Sequence, residues 1–170
     1  MPFPADFETY ADSRLFIAEG RPTDNTEAAF ETMTGWEEFT ITQVGSIQGR
    51  AYNTSELDVV SQGQVRRKLG NYQLPDSEWG FVAEDDDPAY LIAEAAMRER
   101  TICSFAVVRQ SGAVLYFTAQ IMNLSEPGGG SNDNLTYTMP LLLQTEAFKA
   151  TTYRKKKIRR QSNFGCFVRT

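Results

Sequence analysis

The feature that most constrains the fold of this chain is a single helical pattern. It lies among segments whose apolar and polar residues alternate as in β-strands. A helix is predicted to begin at Pro88 and run to about Arg100, because proline suits the first helical turn and the preceding aspartates can cap free amides. Its body is rich in good helix formers. Because this is the only helix predicted, its apolar stripe should pack on a sheet. The residues of that stripe are Leu91, Ile92, Ala95 and Ala96.

The other regular segments are predicted strands, because apolar and polar residues alternate between clusters of turn-forming residues. A tight turn is predicted at residues 109–112. The alternation changes phase near Gly45, where a β-bulge is expected. Residues 26–35 are polar, and no element is assigned to them. The predicted strands are residues 13–19, 36–47, 56–60, 78–84, 101–108, 113–124 and 134–144.

The last two predicted strands form a long hairpin with two different faces. One face is apolar and is expected to enter the core, whereas the other carries no charge in an otherwise highly charged protein. An uncharged face of this kind indicates burial against another subunit. The glycine-rich tip, residues 125–133, lacks the spacing of a phosphate-binding loop and is interpreted as flexible. The candidate contact residues on the uncharged face are Tyr116, Thr118, Gln120, Thr136 and Thr138.

Residues 61–77 have no clear period and are interpreted as a long loop. Loops of this length inside a compact domain are usually functional or disordered. Two alternatives are open: a mobile solvated loop, or an arm that docks onto a neighbouring molecule. The candidate interface residues in it are Arg66, Arg67, Lys68 and Tyr72.

Charge is distributed unevenly along the chain. Residues 1–153 contain 10 lysines and arginines and all 22 acids, a net formal charge of −12, whereas residues 154–170 contain seven basic residues and no acid. An acidic body repels phosphate, so nucleic acid is not expected to bind to it. We predict a β domain over residues 1–152 and a basic C-terminal arm over residues 153–170. That arm is a solvated tail, a nucleic-acid contact or a tether to a neighbouring copy, and its basic residues include Arg154, Lys155, Lys156, Lys157, Arg159 and Arg160.

Residues with catalytic or metal-binding chemistry are sparse. Histidine, the commonest general base and metal ligand, is absent. The four acids at residues 84–87 are better explained by helix capping than by acid–base chemistry or calcium binding. Cys103 shares a strand face with Phe105 and is expected to be an inert core thiol, and Cys166 is a candidate for a cross-link between copies. We predict no enzymatic activity, no cofactor and no metal.

No apolar run reaches the length of a membrane span, and residues 1–14 lack the pattern of a signal peptide. We therefore expect a soluble protein that is synthesised in a cytosol. No membrane insertion by this chain is expected.

The order of these elements is similar to that of the tail tube proteins of long-tailed bacteriophages, the lambda-type siphophage group and its relatives in contractile tails. The resemblance covers about residues 13–150. It is carried by WEEFTITQVGSIQG leading to SELDVV, by the strand, acidic turn and helix of WGFVAEDDDPAYLIAEAAMRER, and by the final hairpin before TMPLLLQTEA.

The resemblance implies a mainly β (α+β) fold, an antiparallel β-sandwich or barrel with one flanking α-helix, long hairpins and terminal arms. It implies a structural protein of the virion tail, assembled in the host cytoplasm, whose hexameric rings stack into a tube for genome delivery. Implied partners are further copies, tape measure and tail terminator or completion proteins, and a sheath if the tail contracts. DNA would pass through a negative lumen without specific binding. The loop would reach the next ring, and the uncharged hairpin face would lie at subunit contacts or near the lumen.

Two other functions are open on the sequence alone. The first is a monomeric β-domain adaptor, a head–tail or minor tail component, whose basic tail binds nucleic acid or a partner. The second is an enzyme, for which only the acids at residues 85–87 provide support.

Overall fold

The computed structural model describes residues 10–59, 64–84, 86–126, 128 and 135–150. The predicted C-terminal arm and Cys166 lie outside these residues. The described elements, in chain order, are β1 (Arg14–Ala18), α1 (Glu27–Thr32), β2 (Glu37–Gln43), β3 (Ala51–Val59), β4 (Gln64–Gln73), β5 (Asp76–Val82), α2 (Pro88–Glu99), β6 (Ile102–Val108), β7 (Val114–Ile121), β8 (Tyr137–Leu143) and β9 (Phe148–Lys149).

Six of these strands close into an antiparallel barrel. Their order around the barrel is β6-β1-β2-β5-β8-β7, and β6 pairs with β7 along its whole length, from Ile102 opposite Gln120 to Val108 opposite Val114. Closure gives each of these six strands a barrel strand as neighbour on both sides. The short strand β9 pairs with β7 on the side where β8 also pairs. The predicted fold class, mainly β with a barrel or sandwich, is confirmed.

Alternate residues of the barrel strands fill its interior. On β7, Leu115, Phe117, Ala119 and Ile121 are all buried, as their alternation predicted. Phe117 lies opposite Phe105 of β6, and the two rings stack with centroids 5.3 Å apart. The largest fully buried side chains of the barrel strands are Trp79, Phe39, Phe81, Phe105, Phe117, Leu15, Ile17, Leu115, Met139, Leu141 and Val107.

Helix α2 lies across one open end of the barrel. It contacts β1, β2 and β7, and its Tyr90 ring lies near Phe81 of β5 and Tyr137 of β8. The predicted start is confirmed, because Pro88 is the first helical residue and the Asp87 carboxylate accepts a hydrogen bond from a backbone amide of the first turn. The acid therefore caps the helix.

The buried face of α2 differs from the predicted stripe. Ala89, Ala93 and Ala96 face the core, whereas Leu91 is 48% exposed and Ala95 is exposed. The prediction was therefore wrong for Leu91 and Ala95. Two apolar rows run side by side on this helix, and the row of alanines packs inward because small side chains allow the helix backbone to approach the barrel.

Helix α1 was not predicted, and the expectation of a single helix was wrong. Its six residues are too few to show a helical period, and the Thr26 side chain at its start makes no capping hydrogen bond. Packing holds it in place: Phe30 is fully buried outside the barrel, stacked on Tyr116 of β7 at 5.0 Å and against Phe148 of β9 at 5.6 Å. Tertiary contacts of this kind stabilise short helices that lack intrinsic stability.

The prediction of a long loop at residues 61–77 was wrong. Residues 64–73 form β4, and residues 76–77 begin β5; residues 60–63 lie outside the described part. β4 pairs with β3, which is also longer than the predicted strand at residues 56–60. The alternation that reveals a strand in sequence comes from burial of one face. β4 has no such signal because its described side chains are exposed.

Strands β7 and β8 form the hairpin that was predicted from their alternation. Residues 119–121 pair with residues 141–143, and pairing resumes at a bridge between Ser125 and Thr138. Pro140 lies in the interval and cannot donate to the ladder, although its carbonyl accepts from the amide of Met122 at 3.0 Å. Residues 127 and 129–133 of the predicted flexible tip lie outside the described residues, as does residue 134, the first of the last predicted strand.

Gly45 lies against the buried Trp79. The register of β2 shifts between Ile41 and Gln43, slightly before the predicted position. A Cβ atom on Gly45 would lie 2.7 Å from the Glu78 carbonyl oxygen and 2.7 Å from Trp79 Nε1, which donates to a serine hydroxyl at 2.8 Å. This close approach of two backbones requires glycine at position 45.

Replacing Gly45 with alanine should lower the free energy of unfolding by about 1–3 kcal/mol, because the Glu78 backbone carbonyl cannot move aside as a flexible side chain can. Urea denaturation measures this loss. The control is Gly128→Ala, since no atom lies within 4 Å of a Cβ atom there. Equal stability of the two variants would contradict the assignment.

Candidate assembly surface

Strands β3 and β4 form a hairpin that stands apart from the barrel, and we call it the arm hairpin (Ala51–Val59 and Gln64–Gln73). The two strands pair with each other and, among the described residues, with no barrel strand. Every arm residue whose exposure is described, at positions 51–56 and 67–73, is exposed. A two-stranded hairpin is marginally stable alone in water. An arm of this kind is therefore expected to be covered by a partner.

Three large apolar side chains lie on one face of the arm hairpin. Tyr52 lies opposite Tyr72 with ring centroids 5.8 Å apart, and Leu69 lies opposite Thr54. Between these two pairs the register shifts, so that β4 advances three residues while β3 advances two. Without the extra residue Tyr72 would face away from Leu69, because side chains alternate along a strand. The bulge places Tyr52, Leu69 and Tyr72 together on one face, which we call the apolar face of the arm, and these three side chains are 43% to 64% exposed.

Arg50 connects the base of the arm hairpin to the barrel. Its guanidinium donates two hydrogen bonds to the Glu146 carboxylate between β8 and β9, with Nη2 and Oε2 2.6 Å apart. It also lies 4.7 Å from the centre of the Tyr72 ring, and its Nη1 is 3.4 Å from the Tyr52 hydroxyl. The hydrogen bonds to Arg50 lower the pKa of Glu146, and Glu146 raises that of Arg50. A cavity of about 190 Å³ beside the ion pair is lined in addition by Ile47, Gln48, Gly49, Leu74 and Ala147.

The residues predicted to reach a neighbouring ring all lie on β4. Arg67 shares the apolar face and forms an ion pair with Glu56 at 2.7 Å, with 74% of its side chain exposed. Lys68 lies on the opposite face, and Tyr72 packs at the base. Arg66 is part of the same strand. Their role in a contact between rings stays a prediction.

The uncharged outer face of the β7–β8 hairpin is partly covered by this chain itself. Tyr116 lies under Phe30 of α1, and its burial raises the pKa of its hydroxyl. Thr118 is 2% exposed, and the Thr145 hydroxyl accepts from its amide at 2.9 Å and lies 3.1 Å from its hydroxyl. The absence of charge at these two positions therefore has an intramolecular cause, and does not by itself indicate a second subunit.

The other candidate residues of this face are partly exposed. Gln120 donates from Nε2 to the carbonyl of Arg100 at 2.7 Å. The hydroxyls of Thr138 and Ser125 are 2.5 Å apart, and Thr136 is half-buried. A location at a subunit contact or near a lumen stays a prediction for all three.

Three apolar residues that were not among the predicted contact residues also lie on the outer face of the β7–β8 hairpin, near the ends of the strands where Gln120 pairs with Leu142. We call Met122, Pro140 and Leu142 the β8 patch; Met122 is 61% exposed and Leu142 is 44% exposed. Two exposed acids of β5 border it, with Asp76 opposite Leu142 and Glu78 opposite Pro140. The signal was present in the alternation, which places Met122 and Leu142 on the outer face of the two strands.

The described residues offer little catalytic chemistry. They contain no group of three or more histidine, cysteine or acidic residues that could hold a metal ion. Cys103 is fully buried at the predicted core position, and burial raises the pKa of its thiol. In the described part of the chain, no helix is long and apolar enough to span a membrane.

Comparison with known proteins identifies the fold. No protein-family model and no curated protein sequence matches the chain. A chain in the cryo-EM structure of the anti-feeding prophage baseplate has a TM-score of 0.57 at 10% identity, covering 88% of this chain and 97% of that chain. A chain in the sheath–tube complex of PVC, an extracellular contractile injection system, in the extended state, has a TM-score of 0.54 at 14% identity, covering 88% and 93%.

A chain in the structure of the anti-feeding prophage cap, described as a tube terminating cap, has a TM-score of 0.52 at 16% identity, covering 89% of this chain and all of that chain. At these identities the likeness shows the fold alone. The chain therefore has a fold that also occurs in chains of the PVC sheath–tube complex and of the anti-feeding prophage baseplate and cap. This agrees with the resemblance to tail tube proteins at the level of fold, and does not single out the lambda-type siphophage group.

Replacing residues 52–72 with an Asn-Gly turn between Ala51 and Gln73 should leave the barrel folded, because no described core residue lies in the arm hairpin. It should also prevent copies from associating. Thermal unfolding and sedimentation velocity measure the two effects. The control variant carries Asn-Gly in place of Gln110 and Ser111, which lie in an exposed turn of the barrel. Assembly at the wild-type level without the arm would contradict the prediction.

Arg50→Gln should return the pKa of Glu146 towards its ordinary value, because the hydrogen-bonded cation is what lowers it. A carboxylate whose pKa is lower in the folded state than in the unfolded state stabilises the fold at pH values above its unfolded-state pKa. This contribution is lost as the pH falls through the folded-state pKa. In the wild type the contact at the base of the arm should therefore break only on the acid side of the ordinary glutamate range. Carbon-13 NMR titration of the Glu146 carboxyl measures the midpoint, with Arg21→Gln as control. An unchanged midpoint in Arg50→Gln would refute the contact.

Proposed function

We propose that this chain is a structural subunit of a tail tube, in a phage tail or a related contractile injection system. Six copies form a ring, and stacked rings form the conduit through which a genome or another cargo passes. The chain acts by assembling and not as an enzyme.

The observation that carries this proposal is the arm hairpin on a closed barrel. In the described part of the chain each of the six barrel strands pairs with a barrel strand on both sides, so the arm and the outer side-chain surfaces are the surfaces best placed for association. The arm exposes Tyr52, Leu69 and Tyr72 on one face. An arm that binds a different surface on the next copy makes a head-to-tail contact, and contacts of that type generate rings or open stacks.

Charge supports a role as a conduit. The body, residues 1–153, has a net formal charge of −12. A lumen lined by such subunits repels the phosphate backbone, so DNA would move through it without specific binding. An acidic lumen is equally suited to other anionic cargo.

The likeness in fold supports the same assembly class. Chains with this fold come from structures of a baseplate, a sheath–tube complex and a tube terminating cap. We propose further copies of this chain, a terminator and, in a contractile system, a sheath as its partners, with a tape measure protein during assembly. The location that follows is the tail of a virion or of a related injection particle.

A second candidate is a tube-terminating ring. The likeness to the chain of the cap structure favours it, since the TM-score of 0.52 is close to that of the sheath–tube chain. A terminator forms rings that bind a tube end and do not stack further. The alternative of a nucleic-acid-binding adaptor rests on residues 154–170, which lie outside the described residues.

Electron microscopy of the purified protein at high concentration separates these candidates. A tube subunit should give six-fold rings that stack into tubes, whereas a terminator should give six-fold rings that remain single. Sedimentation velocity over a range of concentrations measures the same association in solution. A protein that remains monomeric at all concentrations in both measurements would contradict the proposal.

A further inference from the structure

The β8 patch and its border form an outer surface with two parallel rows. Met122, Pro140 and Leu142 make an apolar row along the hairpin, and Asp76 and Glu78 make an acidic row on the neighbouring strand. Residues directly opposite each other on antiparallel strands lie about 5 Å apart at Cβ, so the two rows form one continuous surface. Within the described residues, no hydrogen bond or ion pair occupies the carboxylate of either acid.

The apolar face of the arm hairpin has the complementary arrangement. Tyr52, Leu69 and Tyr72 supply apolar area, and Arg67 adds a cation on the same face. The contact of Arg67 with Glu56 uses its Nε atom. A guanidinium has five N–H donors, so it can bind a second carboxylate while this contact persists.

We infer that the β8 patch is the docking surface for the arm hairpin of another copy of this chain. The apolar face of the arm covers Met122 and Leu142, and Arg67 pairs with the acidic row of Asp76 and Glu78. The inference rests on the proposed self-assembly and names the contact that produces it. Because the arm and the patch are different surfaces, each copy donates an arm to one neighbour and accepts an arm from another, which is a head-to-tail contact.

The arm of the same chain does not occupy the patch. It leaves the barrel at Gln73, three residues before Asp76, and neither of its strands pairs with β5, β7 or β8 in the described part of the chain. The contact of Arg50 with Glu146 and Tyr72 fixes the base of the arm on the connection between β8 and β9. The patch is therefore open to the arm of a neighbour.

Charge reversal on each side of the contact tests the inference. Arg67→Glu and the double variant Asp76→Arg/Glu78→Arg should each raise the concentration needed for assembly at least about tenfold, because like charges are placed against each other. Lys68→Glu is the matched control for the arm, since it makes the same change on the same strand but on the opposite face. Asp24→Arg/Glu99→Arg is the matched control for the patch at exposed positions elsewhere. Both controls should assemble within about twofold of the wild type.

Mixing the two disruptive variants gives the sharper test. In an equimolar mixture, the intact arm of one variant meets the intact patch of the other, and the reversed arm meets the reversed patch. The concentration needed for assembly should therefore recover to within about threefold of the wild-type value, although each variant alone needs at least about ten times that value. Recovery also shows that the barrel and arm of both variants are folded.

The outcomes are distinct. Wild-type assembly by Asp76→Arg/Glu78→Arg would leave the patch to a different partner and overturn the inference, while the proposed function would stand. Equal loss in Arg67→Glu and Lys68→Glu would indicate a general charge effect, and it would also overturn the assignment of this face. Failure of the wild type itself to assemble would contradict the proposed function, and the inference would fall with it.

Discussion

The pairing of β6 with β7 is the constraint on which the rest of the structure depends. It joins the two ends of the six-strand sheet, so that alternate residues of every strand point into one shared interior. The stacked pair of Phe105 and Phe117 lies on this seam. Once the barrel is closed, its open end needs a cover. Helix α2 supplies it with a face of alanines, which are small enough to bring the helix close to the strands.

Closure also determines how the protein can associate. In the described residues each of the six barrel strands pairs with a barrel strand on both sides, so the main surfaces that this part of the chain offers to partners are side-chain faces and the projecting arm hairpin. Helix α1 covers part of the outer face of the β7–β8 hairpin, because Phe30 stacks on Tyr116. The part of this face that contains the β8 patch, beside Asp76 and Glu78, remains exposed. Arm and patch are thus two exposed surfaces of one chain with complementary composition.

Two local irregularities shape these surfaces. The bulge in β4 brings Tyr72 to the same face as Leu69, so that both side chains are available to one partner surface. Pro140 interrupts the ladder between β7 and β8, which lets the hairpin lose regular pairing beside the patch. Arg50 then links the arm to the barrel through Glu146 and Tyr72. Irregular positions of this kind are common where a sheet presents side chains to a partner.

The sequence by itself determined the parts of the structure that have one face in the core. The strand around Phe105 and the β7–β8 hairpin were predictable because burial of one face leaves a period of 2 in the residues. The helix at Pro88 was predictable because its start signals and its helix-forming residues are local, although the period on its surface did not identify the buried face. Capping at Asp87 was predictable because it is a local interaction. The absence of charge on the outer hairpin face was also visible in the sequence, although its cause was not.

Only the tertiary structure decided the remainder. Strand β4 and the first part of β3 escaped prediction because their described residues are exposed on both faces and so leave no period, whereas the end of β3 lies in the strand predicted at residues 56–60. Helix α1 escaped because Phe30 stabilises it through contacts with residues distant in sequence. Which apolar row of α2 packs inward, and which acids stand beside Met122 and Leu142, depend on strand order and register. Strand order and register arise from long-range pairing, and a local pattern of residues contains no information about which strands become neighbours.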